Sequence, residues 1–144
     1  MSYRLLFPAI CCCWLLPLAL EAQEARADCY DKAQTQLELN SCAGSEYAGV
    51  DAELNRVYKA VLEKYEGDAK FIAKLRDAQR AWLKYRDAEF EAKFPHGDET
   101  HYYGSVFPMC AAQYRAQLTS ERIVKLREWL NGTEEGDVCA GSID

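Results

Sequence analysis

The sequence predicts an all-α fold: a small disulfide-stapled bundle of three long helices with one short N-terminal helix. Between Leu18 and Phe94 there is no proline, and Ala, Leu, Glu, Lys, Arg and Gln dominate, a composition that favours helix. Apolar residues recur at steps of three and four, and no segment alternates with the period of two that a half-buried strand requires. Once an apolar N-terminal segment is set aside, four cysteines remain, an even number suited to stapling a chain of this size.

That N-terminal segment, residues 1–27, reads as a secretory signal peptide. Arg4 precedes an uncharged run from Leu5 to Leu20, which Pro8 and Pro17 interrupt and which is short for a membrane span, and Ala25-Arg26-Ala27 supplies a small-x-small cleavage site. Cleavage after Ala27 leaves Asp28 first; cleavage after Ala22 is the competing choice. Cys29 follows Asp28 rather than the small or apolar residues that precede an acylated cysteine, so no membrane anchor is expected after cleavage. Loss of Arg4, Glu21, Glu24 and Arg26 leaves the net charge at −6.

In the mature chain, Lys32 to Leu39 reads as the short helix, with Ala33 and Leu37 facing inward. From Asp51, Leu54, Val57, Tyr58, Val61, Leu62 and Tyr65 form the clearest helical stripe in the sequence. Gly67 is placed to stop that helix in the left-handed conformation, and Asp68 to cap the next. Phe71, Leu75, Ala78, Trp82 and Tyr85, broadened by Ile72, mark the second long helix, which Pro95 ends near Phe94. Pro95 to Gly104 is a loop carrying both histidines. Ser105 is placed to cap the last helix, with Pro108 in its first turn and Phe107, Ala111, Tyr114 and Leu118 on one stripe. The apolar pattern continues with a phase shift at Ile123, Leu126 and Leu130, and Asn131-Gly132 ends it. Residues 28–131 then form the helical domain, and 132–144 an acidic tail tethered by Cys139.

Cys29, Cys42, Cys110 and Cys139 allow three pairings. Within one continuous helix, Cys29 and Cys42 would lie about 20 Å apart, so a direct bond requires the chain before Lys32 to fold back. Pairing Cys110 with Cys139 would give the tail a reason to be ordered. Cys29 with Cys42 and Cys110 with Cys139 is the favoured set.

An isoelectric point near 5.0 argues against nucleic acid as a partner. No convergent nucleophile, base and stabiliser can be assembled, so no enzyme and no cofactor is expected. His96 and His101, near Asp98 and Glu99, lie on a glycine-containing loop without fixed ligand geometry, and the cysteines form no Cys-x-x-Cys pair; they are read as polar surface rather than a metal site. Asp87, Glu89 and Glu91 read as a solvated face, and Asn131-Gly132-Thr133 is a glycosylation acceptor only in a eukaryotic secretory pathway. Asp51, Asn55, Gln79, Arg86 and Asp87 lie on or beside apolar stripes, where a hydrogen-bonded network tying the long helices together is expected. Leu54, Tyr58 and Trp82 are core by periodicity.

Taken in order, several blocks combine: Cys29; Thr35-Gln36-Leu37-Glu38-Leu39-Asn40-x-Cys42-Ala43; Asp51-Ala52-Glu53-Leu54-Asn55-x-x-Tyr58; Ala78-Gln79-Arg80-Ala81-Trp82-x-x-Tyr85-Arg86-Asp87-Ala88-Glu89; Gly104-Ser105-x-x-Pro108-Met109-Cys110; and Leu118-Thr119-x-x-Arg122. The series resembles the LprI-type lysozyme-inhibitor family of small exported bacterial proteins, from Cys29 to about Leu126. The resemblance implies an all-helical, disulfide-bonded periplasmic or secreted protein that binds a muramidase. The family often has a cysteine where this chain has Phe90, so the partner expected for Cys110 is missing and Cys139 looks like its replacement. The expected function is a binding protein whose acidic surface meets a cationic lysozyme-type muramidase, with contact at the Pro95–Gly104 loop through Asp98, Glu99, Tyr102 and Tyr103. The alternative is an envelope structural or interaction module with no lysozyme target.

Overall fold

The computed structural model describes residues 28–99, 101–134 and 136–143; the expected signal peptide lies outside the described residues. A short helix α1 occupies residues 28–32, followed by α2 (Gln36–Lys64), α3 (Ala69–Lys93) and α4 (Phe107–Asn131). Among the described residues there is no strand. This is the expected bundle of three long helices and one short one, with different boundaries at its start.

Lys32 to Leu39 is not a separate helix. The Glu38 backbone N–H donates to Thr35 Oγ1 (3.2 Å), while the Thr35 backbone N–H donates to the Glu38 carboxylate (2.8 Å), and this capping box starts a helix that continues through Gly44 and Gly49. A glycine inside a helix costs about 1 kcal/mol relative to alanine; burial of Cys42 and Ala43 beside the first of them favours keeping the helix whole. Continuity also fixes its phase. Projected back from Leu54, Val57 and Val61 at ~100° per residue, Leu37 falls roughly 100° or more off the buried stripe, and it is 78% exposed rather than inward. At the other end α2 stops at Lys64, with Tyr65 as its cap, and Gly67 is not among the left-handed residues. Asp68 caps α3 as expected, accepting from the Phe71 backbone N–H at 2.9 Å.

α2 and α4 run parallel. Gln36 meets Met109 near their N-terminal ends, and Tyr65 Oη and Lys64 Nζ both donate to the Trp129 carbonyl, at 3.1 Å, near their C-terminal ends. Leu54, Val57, Val61 and Tyr65 from α2 and its cap join Leu75 of α3 and Ile123 and Leu126 of α4 in one core. Glu53 adds a polar clasp: its carboxylate accepts from Arg56 (2.7 Å) on its own helix and from Arg127 (2.6 Å) on α4. Those guanidinium hydrogen bonds, Arg56 first, hold its pKa below the usual value against the opposing effect of partial burial.

The α3 backbone approaches α4 closely over a shorter stretch than α2 does, so long side chains fill the space between them. The inward seam is Phe71, Leu75, Gln79, Trp82, Arg86 and Phe90; Ala78 and Tyr85, expected inside, are exposed. α4 starts after Val106 with no side-chain cap. Ser105 instead offers its carbonyl to Asn40 Nδ2 of α2 at 3.0 Å.

Cys29 and Cys42 are bonded, with α carbons 5.9 Å apart, because α1 ends at residue 32 and the chain folds back before α2. Cys110 and Cys139 are not bonded to each other; both are free thiols. Cys110 sits in the first turn of α4, about 32 Å along the helix from Asn131. The chain from Asn131 to Cys139 spans at most ~29 Å when fully extended, to which a disulfide adds about 6 Å between α carbons, so the bond would need a nearly straight tail; turns closed by Asp137 N–H to Glu134 O and Ala140 N–H to Asp137 O shorten it instead.

Thr119 is 0% exposed and its hydroxyl has no hydrogen-bond partner among the described residues. A buried, unsatisfied hydroxyl costs roughly 1–3 kcal/mol. Thr119→Val keeps the β-branched shape without that group and is expected to raise the urea midpoint, by about 1 kcal/mol of stability at an unchanged slope. A loss of stability of that size would show that the hydroxyl is satisfied.

Candidate partner-binding site

The segment joining α3 to α4 is held in shape by its own turns and an aromatic anchor. Backbone hydrogen bonds from Gly97 to Phe94, Glu99 to His96, Tyr102 to Glu99, Gly104 to His101 and Phe107 to Gly104 close successive turns. His101 (φ 69°) and Gly104 (φ 74°) supply the left-handed residues that let the chain reverse.

The four loop residues expected at the interface divide by environment. Tyr103 is half-buried: its ring stacks on Phe107 (5.1 Å, 25°) and meets Phe94 edge-on (5.6 Å, 81°), and its hydroxyl accepts from the His96 backbone N–H at 3.3 Å. It anchors the loop to the ends of α3 and α4. Tyr102 is 57% exposed, with His96 stacked on its ring at 4.2 Å. Glu99 pairs with His96 Nδ1 at 2.5 Å. Asp98 is exposed and makes no hydrogen bond or ion pair among the described residues.

Asp98 and Glu99 face the first turn of α2 across a shallow groove of about 550 Å³, with Phe107 and Pro108 along its side. Gln36, Leu37 and Asn40 form the opposite wall, and no Lys or Arg lines the groove. Just outside it, the Glu38 carboxylate accepts from the backbone N–H of Gln34 and from the side chain and backbone N–H of Thr35, which hold its pKa below the usual value. This end of the molecule therefore carries fixed negative charge. Leu37 and Asn40 escaped the sequence-level site because α2 was expected to begin near Asp51; the Thr35-x-x-Glu38 capping signature was the signal that could have found them.

The expected polar network lies farther along the bundle. Arg86, its side chain 14% exposed, places its guanidinium 3.9 Å from Asp51 of α2 and 3.0 Å from its neighbour Asp87, and lies over the Trp82 indole at 5.4 Å. Asn55 Nδ2 donates to the Asp51 carbonyl (2.9 Å) and carboxylate (3.2 Å). Buried Gln79 accepts from Nε of Arg122 at 3.0 Å, and the Arg122 guanidinium lies 6.0 Å from the same indole; burial lowers its pKa. Arg122 is the member absent from the expected set. Two guanidiniums on one indole link α3 to α2 on one side and to α4 on the other.

Where the family resemblance would place a second cysteine, Phe90 packs on Phe94 (5.3 Å) and under the Arg115 guanidinium (3.4 Å). Cys110 lies in a depression beside Lys93, Phe94 and Tyr114. No helix among the described residues is long and apolar enough to cross a membrane.

The chain matches the family model described as Lysozyme inhibitor LprI over residues 27–126, a span that takes in the loop, the groove and the polar network and stops short of Cys139. It is 37% identical over 124 residues to a protein of Rhizobium meliloti (strain 1021) whose name says only that it is uncharacterized, covering 78% of this chain and 86% of that relative. No solved structure matches.

Proposed function

This chain belongs to the LprI lysozyme-inhibitor family, and from that premise we propose that it is an exported, non-catalytic binding protein that blocks a cationic muramidase and so protects the bacterial cell wall. Residues 1–27 act as the cleaved signal peptide, the mature protein is periplasmic or secreted, and 132–144 forms an appended acidic tail. Contact is made at the loop end, through Asp98, Glu99 and Tyr102, with Tyr103 holding the loop in position.

The observation that carries this reading is the pairing of family membership with an acidic, aromatic-bearing loop end whose groove is lined by no Lys or Arg. A net charge of −6 steers the protein toward a strongly basic enzyme and raises the rate of encounter. An exposed tyrosine is a common interface anchor, and a loop seated at the mouth of the muramidase cleft would keep the polysaccharide out.

Titration of the mature protein into an animal-type lysozyme, with binding heat and cell-wall lysis followed together at low and physiological salt, tests the reading. Stoichiometric binding with loss of lysis, weaker at the higher salt, is expected. Absence of binding at both salts would overturn it for that target and favour an envelope interaction module.

A further inference from the structure

The groove between α2 and the loop combines features of a receptor for one kind of side chain. Leu37 is 78% exposed on a helix whose other large aliphatic residues turn inward or to the flank, and it stands across from the two loop carboxylates. The wall behind it is fixed: Asn40 Oδ1 accepts from Gln36 Nε2 (2.9 Å) and Asn40 Nδ2 donates to the Ser105 carbonyl (3.0 Å). With its amide nitrogen engaged, Gln36 keeps its side-chain oxygen as an acceptor. Asp98 has no partner among the described residues, and Glu99 meets His96 through one of its oxygens.

We propose that this groove is the docking cleft for a basic loop of the partner, an arginine or lysine whose aliphatic stem lies along Leu37 and Pro108 while its charged head meets Asp98 and Glu99. The proposal rests on the inhibitor reading and adds to it the first turn of α2 as half of the interface. Charge complementarity selects the occupant: the apolar surface of Leu37 and Pro108, beside the unpaired Asp98 carboxylate and a Glu99 carboxylate that His96 meets through one oxygen, with no Lys or Arg lining the cleft, suits a long cationic side chain, which covers apolar surface with its methylenes while keeping its head polar. A purely apolar segment would bury Asp98 without a partner, and an acidic one would be repelled.

Leu37→Ser, Asp98→Asn and, as a control on an exposed α4 position, Val124→Ser are compared with the wild type in calorimetric titrations of the mature protein against an animal-type lysozyme at two salt concentrations. Helical signal and melting temperature are checked for each. Leu37→Ser is expected to weaken binding by about tenfold with its salt dependence unchanged, and Asp98→Asn by about tenfold with a shallower salt dependence. Val124→Ser should bind as the wild type does. Wild-type affinity in both groove variants, beside a wild type that binds, overturns the cleft and leaves the inhibitor reading standing. A wild type that binds at neither salt overturns both.

Discussion

Leu126→Ala is expected to destabilise the protein by about 3 kcal/mol, within the roughly 2–5 kcal/mol seen for buried leucine truncations. Leu126 is 0% exposed and lies where α2, α3 and α4 converge, in the cluster with Leu54, Val57, Val61, Leu75 and Ile123. Its removal takes apolar area from the core and leaves a cavity that three helix backbones cannot readily close. Domains of this size are typically stable by only ~5–15 kcal/mol, so the loss is a large share of the whole. Urea denaturation followed by far-ultraviolet circular dichroism measures it, with Leu37→Ala as the paired comparison. That second leucine, largely in water, should change stability by less than about 0.5 kcal/mol. Equal losses at the two positions would mean that the core does not lie where α2 and α4 place it.

The contrast between these two leucines marks how far the sequence carries. Leu54, Val57 and Val61 repeat every three or four residues without competitors, and they are buried as the period demands. Leu37 lies on the same helix, yet its face depends on whether the chain stays helical through Gly44 and Gly49. Propensity argues against continuity there, while the Thr35 and Glu38 capping box and tertiary packing decide for it. On α3 the period itself misleads. Ala78 and Tyr85 fit an apolar count, but the gap between α3 and its neighbours is wide enough for Trp82, Arg86 and Arg122, so polar Gln79 takes the inward position and hydrogen-bonds Arg122. A hydrophobicity pattern has no means of registering a buried amide paired with a guanidinium.

The loop shows the same limit at shorter range. Pro95, Gly97 and Gly104 announce turns, and the two tyrosines announce aromatic contacts. Which tyrosine anchors and which is presented follows from where Phe94 and Phe107 stand, and that is a property of the assembled helices. The pairing of Cys110 with Cys139 failed for a related reason: it required the tail to travel back, almost fully extended, along nearly the whole of α4, and the tail's own turns keep it short of that.

The bond that does form, Cys29 to Cys42, makes the second large prediction. The cysteines are 13 positions apart, and confining a loop of that size in the unfolded chain is worth about 3 kcal/mol. Replacing the pair by Cys29→Ser together with Cys42→Ala is expected to cost up to that amount. The figure is a ceiling because the folded state has a way to relax: α1 is one short helix, held to the rest by Tyr30 Oη donating to Glu46 (3.1 Å) and accepting from Gln113 (3.4 Å). Once untied, it can detach and recover chain entropy. Hydrogen exchange separates the two effects. Amides of α1 should lose protection in the variant, while those around Leu54 and Leu126 should lose it only in proportion to the fall in global stability. Retained protection in α1 at wild-type stability would show that Tyr30 and its neighbours dock the segment without the covalent bond.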